Sequence, residues 1–82
     1  ILGLKVGESN KNDGILVTDV DTKSEAYKNN IRVNDIITEI GKTEINTVSE
    51  YLNELKTYSK GDPIMLRILT NGTPRYEAFE IK

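Results

Sequence analysis

The 82-residue sequence contains no cysteine, no histidine and no tryptophan, with one methionine, one phenylalanine and two prolines. Without cysteine there are no disulfides, thiolate metal ligands or thiol nucleophiles. Without histidine there is no Ser-His-Asp triad, Cys-His pair or imidazole-held zinc. Acid–base chemistry would fall to carboxylates, Lys or Tyr, so catalysis within these residues is not expected. The longest apolar run is three residues, the "ILV" of 15–17, far short of the roughly 20 needed to span a bilayer as a helix. Charge of one sign is also missing: eleven Lys and Arg are interleaved with thirteen Asp and Glu, for a net charge of −2. No basic stripe points to nucleic acid.

What is present is the composition of one small globular domain, 37% hydrophobic and 29% charged. No repeat or linker-like tract divides it. The start on Ile rather than Met reads as a domain, 1–82, excised from a larger protein. A chain this short buries one thin core and leaves little room for an enclosed active site.

The opening "ILGLKVGE" alternates Leu2, Leu4 and Val6 on one strand face, yet places Gly3 where Val or Ile would pack better. Either the backbone bends there, something approaches it closely, or the glycine relieves crowding in an ordinary core strand. A polar stretch, "SNKNDG", ends in the turn signal Asp13-Gly14 and leads into the strand "ILVTDV". Asp21, Thr22 and Ser24 offer caps for a helix of about two turns in "SEAYKNN", which Asn29-Asn30 ends. Asn34-Asp35 makes a turn, Ile36 to Ile40 a strand, Gly41-Lys42 a reversal, and "TEI" a brief strand.

Asn46 or Thr47 caps the strongest helix, "VSEYLNELKTYSK", where Thr47 and Glu50 form a capping box. Its apolar stripe is Val48, Tyr51, Leu52, Leu55 and Tyr58. Lys60-Gly61 stops it. The strands "IMLRIL" and "YEAFEI" follow, joined through Asn71-Gly72, a strong hairpin dipeptide. The order β-β-α-β-(β)-α-β-β implies an α+β fold: a small, mostly antiparallel sheet of five to six strands, sandwich-like or a partly open barrel, capped by two helices. Asp19, Asp21 and Asp35 lack the spacing of a calcium loop and read as turn formers and solvated charges.

Four segments, in order, resemble a bacterial PDZ domain. "ILGL" sits where that family has its Φ-Gly-Φ carboxylate-binding loop, and "GILVTDVDTKSEAYKNN" is similar to the stretch that follows it. "NNIRVNDIITEIGK" resembles the family's turn and strand, and "INTVSEYLNELKTYSKGDPIMLRILTNG" its groove helix and final hairpin. The likeness spans nearly the whole chain. "LGLKV", "GILVTDVD" and "YEAFEIK" look most like the second, C-terminal PDZ of the HtrA/Deg (Do-like) periplasmic serine proteases. Asn30 and Asn34 replace usual glycines, Ile40 a customary Asn and Glu25 a frequent proline, departures in turns rather than in the groove.

The resemblance implies a peptide-binding module that captures C-terminal or unfolded, apolar segments by strand addition, serving substrate recognition or regulation in protein quality control. The N–H groups of Leu2, Gly3 and Leu4 would cradle a chain-terminal carboxylate. Leu2, Leu4, Val6 and Leu55 would line the terminal side-chain pocket, with Leu52 nearby and Lys5 on the peptide-pairing strand, its side chain on the solvated face. Val48 falls where many PDZ domains carry a histidine, which implies an apolar ligand residue there and a Φ-x-Φ tail. Partners implied are peptide tails together with the protease domain and neighbouring PDZ domains of the same protein. No cofactor, nucleic acid or membrane span is expected. An alternative is an inter-subunit assembly module with a weak or unused groove, or the PDZ of another protease or a secretion protein. Location in the periplasm or cell envelope follows by resemblance alone.

Overall fold

The computed structural model describes residues 2–9 and 13–82. In chain order these form β1 (Leu4–Glu8), β2 (Ile15–Val20), α1 (Glu25–Lys28), β3 (Ile36–Ile40), β4 (Thr43–Glu44), α2 (Val48–Leu55), β5 (Pro63–Thr70) and β6 (Thr73–Glu80). All strand pairs are antiparallel, in one open six-stranded sheet of order β1-β2-β3-β5-β6, with β4 paired to β3 off that path. The expected α+β fold with two helices is present.

Two bulges bend the sheet. Lys5 faces Asp19 but Val6 faces Val17, leaving Thr18 as an extra residue on β2. Ile37 faces Ile68 but Glu39 faces Arg67, leaving Thr38 as an extra residue on β3. The buried Thr38 hydroxyl donates to the Arg67 carbonyl (3.2 Å) and accepts from Arg67 Nη1 (3.0 Å), tying the second bulge to β5.

Period-two alternation places Ile64, Leu66 and Ile68 of β5 inward, beside Ile15 and Val17 of β2 and Ile37 and Ile40 of β3. Ala26 of α1, Tyr51 and Leu55 of α2, and Ile31 and Ile45 close the core. Met65, between two inward residues, is exposed. The β5–β6 hairpin turns through Asn71 (φ 51°) and Gly72 (φ 81°), the two left-handed residues of a type I′ turn. Asn30 (φ 66°) and Asn34 (φ 79°) likewise occupy left-handed positions, as their replacement of glycine requires.

Asp35 is the one buried acid among the described residues. Its carboxylate accepts from Arg32 N–H (3.0 Å) and the Thr70 hydroxyl (3.0 Å), and pairs with Arg75 Nη2 (3.3 Å). Arg75 also donates to the Asn30 carbonyl (2.6 Å) and to Glu77. This network ties the turn before β3 to the final hairpin, which is why Asp35 is neither a solvated charge nor a cation ligand.

Both helices are shorter than expected. Ser24 caps α1 by accepting from Tyr27 N–H, and α1 makes a single turn before Asn30 diverts the chain. Thr47 caps α2 with the expected box: its hydroxyl accepts from Glu50 N–H (3.1 Å) and Glu50 Oε1 accepts from Thr47 N–H (3.1 Å). α2 ends at Leu55 because the chain turns off towards β5. The Thr57 hydroxyl donates to the Glu54 carbonyl (2.7 Å), and Ser59 N–H donates to the Asp62 carboxylate (2.8 Å). Tyr58 lies beyond the helix yet still packs on the core.

Candidate functional site

β1 is an edge strand. Among the described residues it pairs only with β2, so its other row of backbone groups has no strand partner. Beside that edge lies α2, antiparallel to it: the start of α2 meets the end of β1, and the end of α2 shares a hollow with the start of β1. The hollow, about 350 Å³, is lined by Leu4 and Val6 from β1 and by Tyr51, Leu52, Leu55 and Lys56 from α2 and its cap. Leu4 and Val6 share a face because they are two apart on a strand; Leu52 and Leu55 do so at i, i+3 on a helix. A hollow of similar size, about 370 Å³, lies beside Leu2 but is walled by Lys23, Glu25, Lys28, Glu80 and Lys82. Its charged lining suits an apolar tail poorly, whereas the lining of the hollow between β1 and α2 includes a single charged residue, Lys56.

The head of the groove is shaped by Gly3. Its φ is +77°, so the extended geometry expected from Leu2 begins only at Leu4. The Gly3 carbonyl accepts from Asp21 N–H (2.8 Å), holding the loop against the β2–α1 connection. A β-carbon on Gly3 would fall 2.3 Å from Ser24 Cβ and 2.9 Å from its Oγ. Backbone bend and close approach, by Ser24, therefore both apply: the glycine does relieve crowding, but in a left-handed turn and not in an ordinary core strand. Ser24 is itself immobilised: its hydroxyl donates to the Asp21 carbonyl (2.7 Å) and accepts from Tyr27 N–H (3.1 Å).

The residues singled out from the sequence separate into groups. Leu4, Val6, Leu52 and Leu55 come together in the groove. Leu52 is 51% exposed on the groove rim, whereas Leu55 is only 4% exposed and doubles as core. Val48 packs against the core at the opposite end of α2 from Lys56. Lys5 projects from the other face of β1, opposite Asp19, and is exposed. Leu2 is not in the groove: it is 6% exposed within the core cluster, because the left-handed turn at Gly3 swings it under the sheet. Ile1, the first residue of the "ILGL" segment, and Asn10, Lys11 and Asn12 of the polar turn lie outside the described residues.

Three site residues were missed. Tyr51 forms the groove floor and is 3% exposed; burial pushes its hydroxyl pKa up to about 12. Lys56 places a cation at the groove's head, and its spacing of four from Leu52 was the available signal. Glu8, in phase with Leu4 and Val6, spans to α2 and accepts from Val48 N–H (3.1 Å to Oε1, 3.3 Å to Oε2). No local pattern announces a bond between residues forty apart. No metal-ligand cluster of three or more acidic side chains occurs among the described residues, and none of the helices there is long and apolar enough to cross a membrane.

Comparison with known proteins agrees with this geometry. Residues 1–80 match the sequence family described as PDZ domain. A probable periplasmic serine endoprotease, DegP-like, from Bartonella henselae is 33% identical over 81 residues, 96% of this chain but only 16% of that protein's length. The HtrA-type protease AlgW, solved with a decapeptide, superposes with a TM-score of 0.85 at 22% identity, covering 98% of this chain and 28% of AlgW. The HtrA3 PDZ domain bound to a phage-derived ligand, FGRWV, gives a TM-score of 0.80 at 18% identity, covering 98% of this chain and 82% of that one. At those identities the two superpositions establish a shared fold.

Proposed function

The chain belongs to the PDZ domain family, and from that premise we propose that its β1–α2 groove receives the C-terminal tail of a peptide as an added antiparallel strand. The unpaired edge of β1 beside Leu4, Val6, Leu52 and Leu55 carries this reading. Strand addition satisfies the row of edge N–H and C=O groups with the ligand's own backbone, while alternate ligand side chains enter the apolar groove. Leu4 at its head and Val6 two residues on favour apolar residues at the ligand's last and third-from-last positions. Val48, in place of a polar side chain, offers no hydrogen bond to a ligand hydroxyl.

The terminal carboxylate goes to the head of the groove. The left-handed turn at Gly3 supports a cradle in which the N–H groups of Leu2, Gly3 and Leu4 would receive the carboxylate, and Lys56 adds a positive charge. A backbone hydrogen bond contributes about 0.5–1.5 kcal/mol net, so four or five of them plus one apolar pocket give affinity on the order of micromolar, about −8 kcal/mol. This is weak capture, suited to transient sampling of exposed tails. The likeness to DegP-like and HtrA-type proteins supports reading the module as part of a periplasmic serine endoprotease, where it would present or sense damaged chains for a catalytic domain elsewhere in the protein.

The test is a titration of one fluorescent peptide ending in an apolar-x-apolar sequence, as free acid and as C-terminal amide. The free acid is expected to bind about tenfold tighter, the loss of one charged group's hydrogen bonds. Equal affinities would remove the carboxylate role.

A further inference from the structure

Leu4, Val6 and Glu8 are the three β1 side chains that face α2, and they are unlike: two apolar, then one acidic. The Glu8 carboxylate lies across the far mouth of the groove, on the first N–H of α2, with both oxygens within 3.3 Å of Val48 N. At the opposite mouth stands Lys56. Neither end residue forms an ion pair with a described residue. The groove is therefore apolar in the middle, cationic at its head and anionic at its tail.

An added antiparallel strand with its last residue beside Leu4 sets its third-from-last residue beside Val6 and its fifth-from-last beside Glu8, because facing residues of antiparallel strands project to the same side. We infer that Glu8 is a specificity-determining residue, selecting Lys or Arg at the fifth position from the ligand's C-terminus; this rests on strand addition at β1 as read above. Two features support it. A cation at that position meets a carboxylate already held in place by α2, so little side-chain freedom is lost on pairing. An acidic or bulky apolar residue there must either face that carboxylate or displace it from Val48, stripping the helix N-terminus of an anion that its dipole favours. A ligand with the matching polarity, carboxylate at one end and ammonium or guanidinium four residues earlier, complements both mouths at once.

The experiment uses the 82-residue chain and three fluorescent free-acid hexapeptides with one apolar-x-apolar tail, differing only in Lys, Gln or Glu at the fifth position from the end. Lys is expected to bind about fivefold tighter than Glu, with Gln between, and the spread to shrink in about 0.5 M salt. In Glu8→Gln the amide oxygen still accepts from Val48 N–H, so the fold is kept while the three affinities become equal. Equal affinities in the unsubstituted protein, or a spread that persists in Glu8→Gln, overturn the role of Glu8 and leave strand addition standing. If none of the three peptides binds the unsubstituted protein, strand addition at β1 and the role of Glu8 fall together.

Discussion

The α-carbon of Gly3 and the side chain of Ser24 occupy adjoining space with no room for a methyl group between them. The two residues are locked from both sides, by the Asp21 N–H bond to the Gly3 carbonyl and by the Ser24 hydroxyl on the Asp21 carbonyl. Gly3→Ala is expected to cost at least about 1–2 kcal/mol from the left-handed φ alone, with the overlap adding to it. Ser24→Gly in that background should return part of the loss, since glycine is a tolerable N-cap and clears the overlap. Urea unfolding of the single and double variants measures this; no recovery in the double variant would show that φ strain, not contact with Ser24, governs the site.

Leu52 and Leu55 separate binding from folding. Leu55 is core, so Leu55→Ala should lose about 2–5 kcal/mol of stability. Leu52 stands half out of the groove, and Leu52→Ala should shift stability by no more than about 0.5 kcal/mol while weakening peptide binding several-fold. Thermal unfolding alongside a peptide titration checks both, and unchanged affinity in Leu52→Ala would take that residue out of the site.

The Arg75–Asp35 pair should be costly to break singly. Arg75→Ala leaves a buried carboxylate with the Arg32 N–H and Thr70 hydroxyl but no counter-ion, a loss of about 3 kcal/mol. Adding Asp35→Asn removes the orphaned charge and should recover much of it. Equal destabilisation in the single and double variants would mean that the Arg75 bonds to Asn30 and Glu77 matter more than its pairing with Asp35.

Tyr51 makes stability fall in alkali. Its hydroxyl has a pKa of about 12 in the folded chain against 10.0 when exposed, so below pH 10 both states hold the proton and nothing is lost. Between pH 10 and 12 the unfolded chain releases the proton while the folded one keeps it, and stability drops by an amount of order 2–3 kcal/mol. Tyr51→Phe should flatten this part of the profile relative to the unsubstituted protein. Parallel profiles for the two, measured by urea midpoint at pH 9, 10 and 11, would mean that Tyr51 titrates normally.

Much of this was legible in the residues themselves. Alternation in "ILVTDV" and "IMLRIL", the Asn71-Gly72 turn and the Thr47–Glu50 box are local signals: each involves neighbours within four positions, where geometry follows from the residues alone. The groove wall of Leu4, Val6, Leu52 and Leu55 was legible in the same way, as two faces of known period. Helix lengths were not, because the ends of α1 and α2 depend on where Ile31 and β5 must go to reach the core. Only packing decided that Leu2 turns inward, that Tyr51 floors the groove, that Lys56 and Glu8 stand at its two mouths, and that Asp35 finds Arg75 forty residues away. Periodicity assigns a side chain to a face, but which face of one element meets which face of another is settled by burying the apolar surface of all of them at once.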